Sequence, residues 1–320
     1  MPEEKDLKKK LHLIDLSQRM EDLIACRIPT GILAFDRVVG GGIPAGRLTE
    51  LYGDFSSGKS RIAYHVLAET QRLGGTAVLI DTERAFGHGL AELTGLDPRN
   101  LVYPDPAKID TIESVFDTIK TAIELFKQGP KESLMTIVWD SVAVTPGIED
   151  LEKSIGRNEA SMRRAKVISD GLKQIMVEVY RHRICMIFIN QVRENIGTLY
   201  GEKLTTIGGK AIKFSASLRI HVHLAGKIKN EQTQELDGYH GRLVVEKSRV
   251  SRPFGVVNFD MLTDQPIGKY SGLLDYLVRH GEATDEGRGW FSMSGIKKNF
   301  RETEFPEIYE ISQRAANTDG

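Results

Sequence analysis

The sequence has little cysteine and lacks any long apolar segment. Cys26 and Cys185 are the two cysteines in 320 residues, which excludes a disulfide framework. Apolar runs such as residues 184–189 are far too short to cross a bilayer, and the chain opens with the charged MPEEKDLKKK instead of an apolar leader. We therefore expect a cytoplasmic protein in a reducing compartment, with no membrane partner.

An excess of charge of either sign is also missing. The chain has 43 basic and 44 acidic residues, a net charge of −1, so no overall field attracts it to nucleic acid. Any such attraction must be local. A hydrophobic content of 40% and a charged content of 27% are typical of globular proteins, and the length suits one large α/β domain with an appendage or two modest domains.

A phosphate-binding motif is present between an apolar run and a helix-like segment. Residues 53–60, GDFSSGKS, fit the pattern G-x-x-x-x-G-K-[ST], in which backbone N–H groups surround phosphate oxygens, the lysine reaches the β and γ phosphates and the hydroxyl ligates Mg²⁺. The alternative is an ordinary Gly-Ser turn. The motif predicts a nucleotide site formed by Gly53, Asp54, Phe55, Ser56, Ser57, Gly58, Lys59, Ser60 and Arg61.

Strand-like and helix-like segments alternate between about residues 45 and 225. Apolar runs at 48–52, 77–80, 135–139, 186–189 and 218–224 predict strands, and residues 59–73, 87–95, 111–127 and 160–182 have helical character. Further strands are predicted at 241–245 and 256–261, and a helix at 304–314. This order predicts an α/β fold with a mostly parallel sheet, whose ligands bind at the carboxyl ends of the strands.

Two acidic residues follow predicted strands. Asp140 closes the strand at 135–139, where an Asp downstream of a phosphate loop usually partners Mg²⁺; a plain strand-end cap is the alternative. Glu83 follows the strand at 77–80 and is well placed to align and deprotonate a water, although a solvated helix-start residue fits the local sequence equally well. Ser60 and Asp140 are the predicted metal-binding pair.

Two amides close the strand at 186–189. Asn190 and Gln191 could sense a γ-phosphate by hydrogen bonding and transmit its presence to the following loop; alternatively they cap the next turn. An uncharged amide suits sensing better than catalysis.

The connection at residues 192–210 is long, contains four glycines and shows almost no periodicity, which favours a functional or disordered loop. Residues 153–213 contain 12 Lys or Arg against 5 Asp or Glu, an excess of seven positive charges. The alternative is a solvated basic face. The pattern suits a nucleic-acid backbone, with bases contacted by apolar and aromatic side chains. The predicted DNA-binding residues are Arg163, Arg193, Glu194, Asn195, Ile196, Leu199, Tyr200, Thr205, Thr206, Gly208, Gly209 and Lys210.

A basic pair lies in the segment EKSRVSR at 246–252. Period two places Lys247 and Arg249 on the same side of a strand. They could face solvent, or they could stabilise transition-state charge on a nucleotide of a neighbouring subunit.

Taken in order, these motifs resemble the RecA/RadA family of DNA strand-exchange recombinases, from about residue 28 to 313. The segments that carry the resemblance are Thr30-Gly31, GGGIP (40–44), GRLTELYG (46–53), the phosphate loop, IDTE (80–83), VWDS (138–141), FINQ (188–191), TTIGGKAIKF (205–214) and GWFSMSG (289–295).

The resemblance implies a RecA-type P-loop NTPase core, ATP and Mg²⁺ as ligands, and helical filaments on single-stranded DNA that exchange strands with duplex DNA. It implies that Glu83 activates water, that Gln191 couples ATP to DNA and that Lys247 and Arg249 reach the neighbour's ATP, while Phe214 packs between subunits. It also implies DNA-binding loops near 152–160 and at 192–210. A loader or single-strand-binding protein is a further implied partner.

The resemblance divides the chain into an N-terminal helical arm (1–28), the ATPase core (29–268) and a small C-terminal α+β domain (269–320). The arm has roughly helical apolar spacing over residues 5–24 and is predicted to contact a neighbouring subunit or its own domain. Gly87 and Leu90 replace the family's acid and tyrosine at the adenine, which predicts different nucleobase contacts in a divergent member, of viral or other origin. A recombination mediator without strand exchange is the main alternative function, and a ring helicase a weaker one.

Overall fold

The computed structural model describes residues 26–130, 133–152, 157–194 and 204–318. The strands are β1 (Arg27–Ile28), β2 (Ile43–Pro44), β3 (Arg47–Gly53), β4 (Thr76–Asp81), β5 (Leu101–Val102), β6 (Met135–Asp140), β7 (Cys185–Glu194), β8 (Leu204–Thr206), β9 (Leu218–Lys229), β10 (Leu236–Ser248), β11 (Val256–Leu262), β12 (Ala283–Gly287), β13 (Trp290–Met293) and β14 (Phe300–Arg301). The helices are α1 (Leu33–Val39), α2 (Lys59–Arg72), α3 (His88–Thr94), α4 (Ile112–Phe126), α5 (Ile148–Glu152), α6 (Arg157–Arg181), α7 (Gly209–Ser215), α8 (Leu273–Arg279) and α9 (Phe305–Thr318). Short 3₁₀ turns lie at Pro98–Asn100, Pro106–Lys108 and Glu302–Glu304.

A large sheet with the strand order β11-β10-β9-β3-β7-β6-β4-β5 forms the centre of the molecule. Strands from β9 to β5 pair in parallel, whereas β10 and β11 continue the sheet antiparallel. Parallel strands joined by helices must be covered on both faces, which explains why β4 and β6 read as nearly continuous apolar runs and why all residues of β3 after Arg47 are buried. The predicted α/β fold with a mostly parallel sheet is confirmed.

Each face of the sheet has its own apolar core. On one face, α1 and α2 bury residues such as Phe35 and Leu67. On the other face, α4 and α6 pack Phe116 and Ile175 against Trp139 of β6. The two layers hold the carboxyl ends of β3, β4, β6 and β7 at one edge of the sheet, where the sequence predicts the ligand.

The C-terminal segment forms a three-stranded antiparallel sheet, β12-β13-β14, beside α8 and α9. Its apolar residues Leu277, Phe300 and Tyr309 belong to the same core cluster as Phe259 of β11. The predicted division at residues 268/269 stays a prediction. The N-terminal arm at 5–24 lies outside the described residues.

The connection at 192–210 is more regular at its ends than the sequence predicts. Val192, Arg193 and Glu194 extend β7 and pair antiparallel with the three residues of β8, and Gly209 begins α7. The expectation of an irregular connection over the whole range is therefore wrong at both ends, because backbone pairing across a hairpin produces no side-chain periodicity in so short a strand. Within the described residues, no helix is both long and apolar enough to cross a membrane.

A buried histidine on α2 makes the fold sensitive to acid. Burial, with the charges of Arg61 and Arg72, lowers the pKa of His65 from 6.5 to about 4. The contribution of His65 to stability is fully present above pH 6.5, where the side chain is neutral in both the folded and the unfolded protein. It is lost as the pH falls through the pKa of the folded protein, about 4. When the pH is lowered from about 7.5 to 5, the free energy of unfolding should fall by about 2 kcal/mol less in His65→Gln than in the parent protein. Urea unfolding at the two pH values measures this difference. Equal losses would contradict this assignment.

Candidate nucleotide-binding and catalytic site

A cleft of about 340 Å³ opens at the carboxyl edge of the central sheet. The residues that line it come from the loop between β3 and α2, from the ends of β6 and β7, from the segment after β4 and from β11. The lining residues are Phe55, Ser56, Ser57, Gly58, Lys59, Ser60, Arg61, Glu83, Leu90, Asp140, Ile189, Gln191 and Met261. The structure thus brings the predicted phosphate loop, the two acids and the glutamine to one place.

Two glycines allow the phosphate loop to lie against the sheet. A Cβ on Gly53 would lie 2.0 Å from the carbonyl oxygen of Val222 in β9. Gly58 has φ +92°, and a Cβ there would lie 2.7 Å from Sδ of Met261. A larger residue at 53 would push the loop away from the backbone of β9, and the left-handed φ of Gly58 is strained for any residue with a Cβ. The backbone N–H groups of the loop and of the first turn of α2 are therefore available to surround an anion.

Lys59 lies across the mouth of this loop. Its Nζ donates to the carbonyl oxygen of Asp54 at 2.5 Å and to Oγ of Ser57 at 3.3 Å. Burial lowers the pKa of Lys59, while the negative charges of Asp140, Glu83 and Asp54 oppose that shift. A largely buried ammonium beside a phosphate-binding loop is suited to binding the β and γ phosphates of a nucleotide.

Asp140 lies beside Ser60 at the bottom of the cleft. Its Oδ2 accepts a hydrogen bond from the Tyr64 hydroxyl at 2.9 Å, and its buried Oδ1 has no hydrogen-bond partner. Burial raises the pKa of Asp140 to about 6, and hydrogen bonds from Ser60 and Tyr64 oppose the rise. An orphaned carboxylate oxygen next to a hydroxyl fits Mg²⁺, which is usually held through one or two such oxygen ligands plus phosphate oxygens.

Glu83 is held from two sides. The Ser141 hydroxyl donates to its Oε1, and Nε2 of Gln191 donates to the same oxygen at 3.3 Å. The carboxylate predicted to activate water is therefore bonded directly to the amide predicted to sense the γ-phosphate. A change in the position of Gln191 must alter the orientation of Glu83.

The charge of Asp140 is expected to destabilise the ligand-free protein. Because its pKa is raised in the folded state, its contribution to stability is present below pH 3.8 and is lost as the pH rises through about 6. Asp140→Asn keeps an acceptor for Tyr64, so without Mg²⁺ or nucleotide we expect it to be more stable by up to about 3 kcal/mol near pH 7.5 and to have no advantage near pH 4. Urea unfolding at both pH values tests this, with the exposed Asp117→Asn as control. A destabilised Asp140→Asn near pH 7.5 would overturn it.

The remaining lining residues are mainly apolar or bind other parts of the chain. Leu90 of α3 and Met261 of β11 face the cleft, whereas Gly87 is the N-cap of α3. Arg61 donates to the carbonyl oxygens of Leu262, at 2.6 Å, and Gln265. The guanidinium of Arg61 therefore holds the end of β11 and the segment that follows it, next to Met261, which lines the cleft.

Lys247 and Arg249 lie outside this cleft, at the carboxyl end of α7. Nζ of Lys247 donates to the carbonyl oxygens of Lys213, at 2.6 Å, and Phe214, at 3.2 Å; Nη2 of Arg249 donates to that of Phe214 at 3.3 Å. The prediction that both residues lie on the same side of a strand is wrong, because Arg249 lies one residue beyond the end of β10 and the register of β10 shifts between Val245 and Lys247. Both side chains nevertheless reach the carbonyl oxygen of Phe214. Cations at the last carbonyls of a helix complement its dipole, and the ring of Phe214 is 62% exposed.

The predicted DNA-binding residues fall in several places. Arg193 lies on β7 and pairs with Thr205 of β8, Thr206 pairs with Val192, and Gly208 is the left-handed N-cap of α7, where Gly209 and Lys210 begin the helix. Glu194 ends β7. Asn195, Ile196, Leu199 and Tyr200 lie outside the described residues, as does 153–156 of the other predicted loop.

Arg163 of α6 lies next to the other predicted loop. Its guanidinium is 3.5 Å from a carboxylate oxygen of Asp150 and 3.7 Å from one of Glu149, both on α5. Arg164 is closer to Asp150, at 2.6 Å. The predicted binding of a phosphate backbone by Arg163 would have to compete with these acidic residues.

Tyr64 and Ser141 are site residues that sequence reasoning missed. Tyr64 lies on α2 one turn beyond Ser60, and helical spacing alone would have placed it on the same face. Ser141 follows Asp140 directly and is fully buried. Each fixes one of the two site carboxylates.

Comparison with known proteins agrees with this site. The family model described as the RecA N-terminal domain matches residues 4–268. The chain is 34% identical to Protein RecA of Cytophaga hutchinsonii over 283 residues, 87% of this chain and 76% of the relative. It is 35% identical to Protein RecA of Aquifex aeolicus over 304 residues, 92% and 84% of the two chains. It is 37% identical to the chloroplastic DNA repair protein recA homolog 1 of Arabidopsis thaliana over 247 residues, 77% and 54% of the two chains.

The match covers the phosphate loop, both site carboxylates, Gln191 and the basic pair, and the identity extends over most of the chain. The resemblance predicted from the motifs is therefore confirmed. The chain belongs to the RecA family of recombinases, whose members bind ATP and DNA in recombination and repair.

Proposed function

We propose that the chain is an ATP-dependent recombinase that assembles as a helical filament on single-stranded DNA, pairs it with a homologous duplex and exchanges the strands. ATP occupies the cleft at each subunit boundary and favours the DNA-binding form of the filament. Hydrolysis to ADP and phosphate releases it.

The observation that best supports this proposal is the hydrogen bond between Gln191 and Glu83. Gln191 lies on β7, and three residues later the same strand leads into the connection with the predicted DNA-binding residues. A residue that senses the γ-phosphate and a residue that activates water are thus in contact at the base of that connection. This arrangement suits an ATPase whose turnover responds to DNA.

Binding and hydrolysis of the nucleotide depend on residues of the cleft. Lys59 and the N–H groups of the loop bind the phosphates, while Ser60 and Asp140 hold Mg²⁺. Glu83 orients and deprotonates the attacking water, its carboxylate aligned by Ser141 and Gln191. Mg²⁺, when bound, neutralises charge on the phosphate oxygens.

DNA binding depends on the segments that flank residues 195–203. Arg193 and Lys210 supply positive charge, and Thr205, which is exposed, and Thr206, which is buried, are the proposed hydroxyl donors. Gly208, the buried N-cap of α7, and the exposed Gly209 are proposed to bind phosphate through their backbone N–H groups. Asn195, Ile196, Leu199, Tyr200, Glu194 and Arg163 complete the proposed DNA-binding set. The charge excess of residues 153–213 predicts salt-dependent binding.

The subunit boundary completes the site. Lys247 and Arg249 are the cations that reach the ATP of the adjoining subunit, and the exposed Phe214 packs on that neighbour. Residues 1–28 form an arm that contacts a neighbour, 29–268 form the ATPase core and 269–320 form a small C-terminal domain. A loader or single-strand-binding protein is a further proposed partner, and the cytoplasm the proposed location.

The direct test measures ATP turnover with and without single-stranded DNA, beside strand exchange between homologous substrates. We expect turnover to rise with DNA and exchange to require ATP. Stimulated turnover without exchange would favour a helicase, and tight ATP binding with negligible turnover would favour a mediator. A chain that stays monomeric and unbound with ATP and oligonucleotide at micromolar concentration would contradict the proposal.

Lys59→Ala serves as the reference variant in that assay. Removal of the ammonium leaves the β and γ phosphates without their nearest positive side chain, so hydrolysis should fall to background. The matched control is Lys120→Ala, an exposed lysine on α4 that pairs only with Asp117 among the contacts described. Hydrolysis at the parent rate in Lys59→Ala would remove this lysine from the phosphate site.

A further inference from the structure

Two opposite charges are buried side by side in the middle of the central sheet. Glu50 of β3 and Arg219 of β9 are register partners on neighbouring parallel strands, and Nε of Arg219 lies 2.5 Å from Oε2 of Glu50. Glu50 is fully buried and Arg219 is 6% exposed. Leu48 and Phe188 on the same face are apolar. Because apolar residues would fill such positions at no cost in desolvation, stability alone does not account for the ion pair.

On the Glu50 side, hydrogen bonds link the ion pair to residues at the two ends of the 192–210 connection. Oε1 of Glu50 accepts a hydrogen bond from Nδ2 of Asn190 at 3.0 Å, and the same Nδ2 donates to the carbonyl oxygen of Ile207 at 2.8 Å. Oδ1 of Asn190 accepts from the backbone N–H of Gln191 at 3.0 Å. The side chain of Asn190 therefore joins Glu50, the residue before the α7 N-cap and the backbone of the proposed γ-phosphate sensor.

On the Arg219 side, contacts link the ion pair to the strand that carries Lys247, one of the proposed interface cations. The guanidinium of Arg219 lies 4.5 Å from the ring centroid of Tyr52 and 3.9 Å from Oε2 of Glu246, which also accepts a hydrogen bond from the Tyr52 hydroxyl. His221, Tyr52 and Arg219 together lower the pKa of Glu246 to about 2, so the carboxylate is ionised. Glu246 directly precedes Lys247, which binds the carboxyl end of α7.

Helix α7 is thus bound just before its start through Asn190 and at its end through Lys247 and Arg249. The chain Asn190–Glu50–Arg219–Glu246 links these two attachment points beneath the helix. The steps from Asn190 through Glu50 to Arg219 join buried groups, where such contacts are strong and have defined geometry. The last step, from Arg219 to Glu246, is a charge contact with a side chain that is 42% exposed. These contacts give a shift of the segment at Ile207 a route to the strand that carries Lys247.

We propose that Glu50 is a positioning residue, and that the buried Glu50–Arg219 pair couples the DNA-binding connection to Lys247 and Arg249. The inference rests on the proposed function, because it assigns a route between the DNA site and the subunit-boundary site. Glu50 touches neither ligand. It acts through Asn190 on one side and Arg219 on the other.

The test measures the coupling itself. Coupling is the factor by which a non-hydrolysable ATP analogue tightens binding of a single-stranded oligonucleotide, and linkage requires the oligonucleotide to tighten the analogue by the same factor. Glu50→Gln keeps the acceptor for Asn190 and removes the charge that faces Arg219. We expect both factors to fall about tenfold together, while hydrolysis without DNA stays within about twofold of the parent rate.

Glu50→Gln leaves Arg219 buried without its counter-charge, so two further variants accompany it. Glu50→Gln with Arg219→Gln removes both charges and should fold, and Tyr52→Phe loses only the hydroxyl that binds Glu246. We expect reduced coupling in both, with the smaller loss in Tyr52→Phe. Thr136→Val is the matched control, because it removes a buried hydrogen bond to Thr70 on other elements and should lose stability without losing coupling.

The outcomes separate this inference from the proposed function. A parent protein in which nucleotide and DNA do not affect each other's binding would overturn the proposed function. A coupled parent with equally coupled, folded Glu50→Gln and double variants would overturn the inference alone. If neither variant folds, Tyr52→Phe decides, and parental coupling in it would also overturn the inference. A coupling loss in Thr136→Val equal to that in the network variants would show a general effect of stability and overturn it.

Discussion

Replacement of Glu83 with Gln is expected to lower ATP turnover by about 10²–10⁴-fold while ATP binding is retained. The amide can still accept a hydrogen bond from Ser141, so the geometry of the cleft is preserved. It cannot accept a proton from water. Lys59, Ser60 and Asp140, which bind the phosphates and Mg²⁺ in the proposed mechanism, are unchanged. Because release depends on hydrolysis in that mechanism, ATP-bound filaments of the variant should persist on DNA.

Single-turnover hydrolysis measures the loss of the chemical step, and binding of a fluorescent ATP analogue measures what is retained. Glu92→Gln provides the matched control, because Glu92 lies on α3 with a side chain 70% exposed, near His88 and outside the cleft lining. Its turnover should equal that of the parent. A Glu83→Gln protein that hydrolyses ATP at the parent rate would remove Glu83 from its proposed role.

Much of the fold and the position of the site could be predicted because they depend on local sequence. The strands β4 and β6 are covered on both faces and appear as apolar runs in the sequence. Both bounds of β3, β4 and β6 lie within one residue of their predicted positions. The glycines at 53 and 58 are recognisable from the spacing of the phosphate-loop motif, although the close contacts at these positions are with Val222 of β9 and Met261 of β11. Residues at the ends of parallel strands must meet at one edge, which places Glu83, Asp140 and Gln191 together.

The Glu50–Arg219 pair could not be predicted, because its partners are 169 positions apart in the chain. In the sequence, Glu50 is a single charge inside a strand that is otherwise mostly apolar, and no local pattern indicates which cation compensates it. The same holds for Arg61, whose hydrogen bonds reach Leu262 and Gln265. Buried charges are explained by tertiary partners, so their roles become visible only in the folded chain.

The positions of the cations in the fold also limit catalysis by a single subunit. Lys247 and Arg249 are bound to the carboxyl end of α7 and are not among the residues that line the cleft of their own chain. Within the described residues that line the cleft, Lys59 and Arg61 are the cations, and Arg61 binds backbone carbonyls. A monomer therefore offers little positive charge to a developing transition state, and cations from a neighbouring subunit would supply it.

Replacement of both Lys247 and Arg249 with Ala is expected to lower turnover by about 10³–10⁵-fold, the usual effect of removing an arginine finger. Mixing this double variant with Glu83→Gln tests whether the pair acts across a subunit boundary. The double variant contributes an intact cleft, and Glu83→Gln contributes intact cations. In a mixed filament made of equal amounts, about a quarter of the boundaries combine the two intact halves in a head-to-tail arrangement.

Turnover in the mixture should therefore recover to about a quarter of the parent rate, although each protein alone is nearly inactive. In the control mixture, the partner of the double variant is a triple variant with Glu83→Gln, Lys247→Ala and Arg249→Ala. No subunit boundary in that mixture contains both an intact cleft and intact cations. Recovery only in the first mixture requires that the cations act on a neighbour's nucleotide. Activity in neither mixture, with mixed filaments seen on DNA, would instead assign Lys247 and Arg249 to their own chain, where they already hold the end of α7.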